Sequence, residues 1–224
     1  MTPEEFTGEY DLVKKNVEAL KAEGELGEQL AHLYELALTI APELKLAVIK
    51  PSDVRAGYMH HQGSTDEVHP EVYIHTKDGT RHYQDLMSSA ALAAEIHATR
   101  AGIDPKNLTP KQLASLIFLH ELGHAQQALT THADFNVWQD RYETELNSLP
   151  VPGFNASGLE TFLATNDGEE WLDDNVHVLA ENGVKSAKEL VALQRQKYRD
   201  LDSERYADEF SAKILDLDQD ARVD

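Results

Sequence analysis

Five residues in the middle of the chain, His120-Glu121-Leu122-Gly123-His124, limit what it can be more than any other stretch does. Two histidines four positions apart lie on the same face of an α-helix, so their rings can bind one metal ion together. Glu121 lies beside the first histidine, where a carboxylate can take a proton from a water molecule on that metal. The stretch therefore predicts a helical metal centre with a general base next to it.

The flanking sequence predicts a helix over residues 110–129. Thr109 is a typical N-cap residue, and Pro110 suits the first helical turn. Apolar residues then recur at spacings of three and four and lead directly into the two histidines, which indicates that both rings face the interior. The alternative interpretation is a pair of core histidines on an amphipathic helix that binds no metal.

Charge and composition argue against several classes of function. The 224 residues include 20 basic and 40 acidic side chains, which gives a formal net charge of −20. Such a surface repels phosphate, which argues against nucleic-acid or anionic-membrane partners. The chain has no cysteine, so it can form neither disulfides nor thiolate metal sites. Its first residues do not have the pattern of a signal peptide, and no apolar run reaches the roughly 18 residues that a membrane span needs. We therefore expect a soluble, cytoplasmic protein.

The remaining sequence predicts an α+β protein that is mostly helical and contains a small sheet. Amphipathic or Ala-rich patterns predict helices, and short apolar or β-branched runs between turn residues predict strands. The predicted helices cover residues 4–22, 25–40, 84–101, 110–129 and 133–147 and a long stretch from Ser186 to Leu215. The predicted strands are Leu46–Ile49 and Val72–Thr76, the second within the segment 67–77, with a loop or a further strand near 57–63. We expect loops and short helices over residues 154–184. A chain of this length fits one domain.

A second pair of acidic residues lies on the last predicted helix. Glu204 and Asp208 are four positions apart and so share one face. A zinc hydrolase needs three protein ligands and one open position, and Glu204 can supply the third ligand from a second helix. Asp208 can accept the N–H of a ligand histidine's other ring nitrogen, and the small Ala207 permits close helix packing. On an acidic helix the same residues can instead be solvated charges, and His132 and Asp134 are rival third ligands.

The two motifs together resemble those of the gluzincin metallopeptidases. The order Glu204-x-x-Ala207-Asp208-x-Phe210 is most similar to the ImmA/IrrE-type family, and it also resembles soluble relatives of the HtpX-type and CAAX-prenyl peptidases. The resemblance implies a zincin-like fold, in which a small twisted sheet lies beside the two motif helices, and a Zn²⁺ ion as cofactor. The implied roles are zinc ligands for His120, His124 and Glu204, general base for Glu121, and hydrogen-bond acceptor behind a ligand for Asp208.

The chain departs from these families in two respects. The membrane-bound relatives carry transmembrane helices, and this sequence has no such segment. Typical ImmA/IrrE-type domains place the third ligand much closer to the histidines, whereas Glu204 follows His124 by 80 residues. The resemblance therefore implies a single metallopeptidase domain over residues 1–224 with an insertion at 130–185.

The sequence thus predicts a zinc metalloendopeptidase that hydrolyses peptide bonds in an unfolded or loop segment of a peptide or protein substrate. Tyr206 and His177 are candidates for stabilising the oxyanion opposite the metal. We expect the substrate to pair with a sheet edge, for which Val72–Thr76 is the candidate. The alternative function is a zinc-binding regulatory or scaffolding protein with little or no hydrolytic activity.

Overall fold

The structure, a computed structural model, describes residues 3–52, 57–62, 68–75, 109–131, 135–154 and 156–220. These residues form helices and one small sheet, which confirms the predicted α+β class. In chain order the elements are α1 (Pro3–Lys21), α2 (Glu25–Ile40), a 3-10 helix (Pro42–Leu46), β1 (Val48–Ser52), β2 (Gly57–Gln62), β3 (Val68–His75), α3 (Pro110–Thr131), α4 (Phe135–Asn147), α5 (Ala156–Leu163), α6 (Asn166–Asp174), α7 (Val176–Glu181), α8 (Ala187–Arg199) and α9 (Asp202–Asp220). Within the described ranges, no helix has the length and apolar character that crossing a membrane requires.

Most predicted helices lie within two residues of the observed ones, because their hydrophobic stripes are local signals. The strand predicted at Leu46–Ile49 begins later, at Val48, because Pro42 starts a short 3-10 helix that extends to Leu46. The predicted short helices between residues 154 and 184 are present as α5, α6 and α7. The helix predicted over residues 84–101 lies outside the described residues.

The three strands form one sheet in the order β1-β3-β2. Strand β3 runs parallel to β1, with Val72 opposite Ile49, and antiparallel to β2, with Val72 opposite Tyr58. The prediction that Val72–Thr76 forms the sheet edge is therefore wrong. Among the described residues, β3 lies in the centre because it pairs with β1 on one side and with β2 on the other, and its residues Val72 and Ile74 are almost fully buried.

The chain divides into two compact units, residues 1–135 with 206–224 and residues 136–205. The core of the first unit lies between one face of the sheet and the helices α2, α3 and α9. It consists mainly of aliphatic side chains, and its largest members include Leu30, Tyr34, Ile74, Phe118, Leu119, Leu122 and Ile214. This packing holds α3, which carries the two histidines, against the sheet.

A buried asparagine ties the first helix to the sheet. The Asn16 amide donates to the carbonyl oxygen of Ala47 at 2.8 Å and accepts the N–H of Ile49 at 3.1 Å. It also donates to the Tyr34 hydroxyl at 3.1 Å. These bonds satisfy backbone groups at the start of β1 that would otherwise be buried without partners.

Helices α3 and α9 approach each other closely where Gly123 meets Ala207. A Cβ atom added at Gly123 would lie 2.7 Å from the Cα of Ala207 and 3.1 Å from its carbonyl oxygen. Only a residue without a side chain fits at this separation. The small residues therefore set the distance between the two helices that carry the sequence motifs.

The second unit contains α4 to α8 and has its own apolar core around Val151, Leu159 and Leu190. The buried amide of Gln194 organises the Pro-rich turn before α5. Its oxygen accepts the N–H of Val151 at 2.9 Å, and its NH₂ donates to the carbonyl oxygens of Val151 and Phe154 at 2.9 and 2.7 Å. The unit is thus fixed by both apolar packing and buried backbone contacts.

The prediction of one long helix from Ser186 to Leu215 is wrong, because the chain forms two helices with a break at Asp200 and Leu201. The N–H of Asp200 bonds back to the last turn of α8, and the carbonyl oxygen of Leu201 accepts the first helical bond of α9, from Arg205 N at 2.9 Å. Ser186 caps the start of α8 as predicted, because its side chain accepts the N–H of Glu189.

Replacing Gly123 with alanine should force α3 and α9 apart. We expect a loss of about 1–3 kcal/mol in the free energy of unfolding, because overpacking against backbone atoms outweighs the gain in helix propensity of about 1 kcal/mol. Urea unfolding monitored by circular dichroism measures this change.

The control is Ala207→Gly, alone and combined with Gly123→Ala. The double variant should recover little stability, because the nearest atoms to the new methyl group are the backbone Cα and O of Ala207. A Gly123→Ala protein at least as stable as the wild type would show that the helices do not meet at this point.

Candidate metal centre

Helix α3 begins as the sequence predicts. The hydroxyl oxygen of Thr109 accepts the N–H of Gln112 at 3.2 Å, and its carbonyl oxygen accepts the N–H of Leu113 at 3.0 Å. The Gln112 side chain in turn accepts the N–H of Thr109 at 2.9 Å, so the two residues cap the helix reciprocally. With the helix fixed in this register, His120 and His124 are only 5% and 7% exposed, which confirms that both face the interior.

The two histidine rings meet edge to face. Their Nε2 atoms are 3.0 Å apart, and the ring planes are inclined at 85°. Two nitrogens bound to one tetrahedral zinc ion at about 2.0–2.1 Å lie roughly 3.4 Å apart. A shift of a few tenths of an ångström would therefore let both nitrogens bind one ion.

Asp208 fixes the orientation and the tautomer of His120. Its Oδ1 lies 3.0 Å from Nδ1 of His120, and the Asp208 side chain is fully buried. A carboxylate only accepts hydrogen bonds, so Nδ1 carries the proton and donates, and a neutral ring then has its lone pair on Nε2. At zinc sites, a carboxylate that does not itself bind the metal orients a histidine ligand in the same way.

Glu204 lies one turn before Asp208 on the same unbroken helix, and it is 1% exposed. One ring nitrogen from each histidine and one carboxylate oxygen of Glu204 all lie within 4.8 Å of one another. The structure thus brings together the three residues that the sequence predicted as ligands.

The donor chemistry of this group fits a zinc ion. Two imidazoles and one carboxylate form the ligand set of one class of catalytic zinc sites, which leave a fourth position open. The ligand atoms must approach by at most roughly 1.5 Å to reach tetrahedral separations. Hard cations such as Mg²⁺ prefer all-oxygen ligands, so the histidines favour a transition metal.

Two residues near Glu204 were not predicted from the sequence. The guanidinium of Arg199 donates from Nη1 to Oε2 of Glu204, and both side chains are buried. Burial raises the pKa of Tyr198 well above its ordinary value of 10, and the charge of Glu204 raises it further. The Tyr198 hydroxyl therefore remains protonated at neutral pH, and it lies 2.9 Å from the hydroxyl of Tyr142.

Sequence patterns gave no direct signal for the Arg199 contact. Residues five positions apart on one continuous helix point about 140° away from each other, so a helix through residue 200 would separate Arg199 from Glu204. The polar run Asp200-Leu201-Asp202-Ser203 contains residues typical of helix ends, and it is the signal from which the break could have been predicted.

The other predicted site residues lie outside the group of three. Glu121 is half-buried on α3. Tyr206 donates its hydroxyl hydrogen to Oε1 of Gln126 and lines a cavity of about 220 Å³ in the first unit. His177 is exposed on α7. The catalytic roles of Glu121, Tyr206 and His177 stay predictions.

The rival third ligands His132 and Asp134 lie outside the described residues. Comparison of the chain with protein-family models, with curated proteins and with solved structures gave no match. The interpretation of the site therefore depends on its own geometry and chemistry.

Replacing Asp208 with asparagine should weaken zinc binding about 10- to 100-fold without abolishing it, because the acceptor behind His120 loses its charge. Competition with a chromophoric chelator measures the affinity. Asp216→Asn, at an exposed position of the same helix, is the matched control and should bind zinc like the wild type. Equal affinities for the Asp208 variant and the wild type would remove Asp208 from the site.

Proposed function

We propose that this protein is a zinc-dependent metallopeptidase of the gluzincin type, with a zincin-like arrangement of its sheet and motif helices. The single observation that carries the proposal is the buried group formed by His120, His124 and Glu204. Burying three such side chains together is costly unless they bind one another or a shared ion. The hydrogen bond from His120 to Asp208 and the Glu residue inside the histidine motif support the same class of site.

A zinc ion at this group supplies an electrophile and lowers the pKa of a water molecule toward about 7. With zinc held by His120, His124 and Glu204, Glu121 would take up the proton of the attacking water and would pass it to the nitrogen of the leaving amine as the peptide C–N bond breaks. Asp208 holds His120 in the tautomer whose lone pair is on Nε2, the nitrogen that lies beside His124.

The substrate is an extended segment of a peptide or protein that pairs with a sheet edge. Helix α3 packs on β3 and β2, whereas β1 packs on α1. Among the described strands, the outer one beside the metal-site helix is therefore β2, which replaces the edge expected from the sequence. The net charge of −20 favours segments with basic residues.

Replacing Glu121 with glutamine should leave zinc binding intact and reduce peptide hydrolysis by roughly 10²- to 10⁴-fold, because the amide cannot take up the proton. Zinc content by elemental analysis and turnover of an unfolded, fluorogenic peptide mixture measure the two effects. Glu35→Gln, at an exposed position of α2, is the control for a change of one charge.

Two outcomes would contradict this assignment. Equal hydrolysis by wild type and Glu121→Gln would show that Glu121 is not the base. A wild-type protein that binds stoichiometric zinc but cleaves no peptide would instead support the zinc-binding regulatory function.

Replacing Glu204 with alanine should remove most of the zinc affinity, because the third ligand is lost. It should also lower the stability of the zinc-loaded protein, since metal binding contributes to folding. Zinc stoichiometry and thermal unfolding with and without zinc measure both effects, and Glu209→Ala on the exposed side of α9 is the control. Retention of stoichiometric zinc in Glu204→Ala, with its loss in His132→Ala, would assign the third ligand to His132.

A further inference from the structure

The surroundings of Glu204 point to a role for Arg199 that rests on the metal centre proposed above. The two side chains form a buried ion pair, with 6% of Arg199 and 1% of Glu204 exposed. A buried carboxylate needs a charged or hydrogen-bonding partner, and the planar guanidinium holds carboxylates in a fixed orientation. The ion pair therefore restricts the rotamers that Glu204 can adopt.

The backbone around Glu204 is fixed as well. Oε2 of Glu145 accepts two hydrogen bonds from Ser203, from its N–H at 3.1 Å and its hydroxyl at 2.6 Å. These bonds hold the first turn of α9, whose N–H groups have no partners within the helix. The break before this turn is what allows Arg199 to fold back onto Glu204.

We propose that Arg199 is a positioning residue for metal binding: its guanidinium, bonded to Oε2 of Glu204, holds the Glu204 carboxylate in the orientation that places it beside His120 and His124. A carboxylate held in one orientation would offer the metal a fixed third ligand, as a catalytic zinc site with three protein ligands requires. Arg199 also gives the buried Glu204 carboxylate a partner of opposite charge.

Two effects of Arg199 on a bound metal have opposite signs. A cationic side chain repels a nearby divalent metal ion. If Arg199 acted only through its charge, its removal would therefore strengthen metal binding. A residue that orients a ligand strengthens metal binding, so its removal would weaken that binding. The sign of the change in zinc affinity therefore separates the two roles.

The test measures the zinc affinity of the full chain by competition with a chelator. Arg199→Met should weaken binding about 10- to 100-fold, the usual effect of losing a partner that orients a metal ligand. Arg199→Lys should recover part of this loss, because it keeps the charge but not the planar fork. Lys197→Met, at an exposed position of α8, is the matched control and should leave the affinity unchanged.

A spectroscopic measurement distinguishes positioning from a loss of folded protein. The visible absorption of the Co²⁺-loaded chain reports the number and geometry of the ligands, so Arg199→Met should alter it and Arg199→Lys should restore it in part. In a Glu204→Gln background, Arg199→Met should change neither the residual zinc affinity nor the spectrum. This double variant removes both charges of the buried pair, which preserves folding better than removing one.

The outcomes separate this inference from the proposed function. If wild type binds zinc and Arg199→Met binds it equally or more tightly, Arg199 does not position Glu204, while the metallopeptidase proposal stands. An effect of Arg199→Met that is the same with and without the Glu204 carboxylate would also overturn the inference. A wild-type chain that binds no zinc would overturn both.

Discussion

The contact between Gly123 and Ala207 is the constraint on which the candidate site depends. On each of the two helices, a polar residue of the site lies three positions before the small residue and another lies one position after it. When the small residues meet, the flanking side chains reach across the helix interface, as the 3.0 Å bond between His120 and Asp208 demonstrates. A side chain at position 123 would collide with the backbone of Ala207 and disturb this arrangement. Packing at an apolar contact thus determines the polar chemistry beside it.

Local patterns in the sequence predicted the helices but not every feature that depends on distant residues. The stripe on α3 and its cap at Thr109 involve neighbours within one turn, so periodicity is enough to place them. The position of β3 between two other strands depends on pairing over many residues, which no local pattern encodes. The break at Asp200 and Leu201 was missed because the same apolar spacing continues on both sides of it.

The candidate metal ligands could be selected from the sequence for a chemical reason. Few residue types bind zinc, and only a few of them lie four positions apart on a predicted helix. His120, His124 and Glu204 could therefore be selected before the fold was known. Arg199 could not be selected in this way, since arginine binds no metal and its contact depends on a turn. The base role of Glu121 concerns a reaction, so it calls for kinetics and not coordinates.

The break between α8 and α9 also bears on the order in which the protein assembles. Arg199 and Glu204 are separated by 5 residues along the chain, whereas His120 and Asp208 are separated by 88. Closing the longer loop costs more conformational entropy, on the order of 2–3 kcal/mol by the logarithmic dependence on loop length. We therefore expect the ion pair between Arg199 and Glu204 to form before the contact between His120 and Asp208. On this order of events, Glu204 would already be paired with Arg199 when the two histidines reach it.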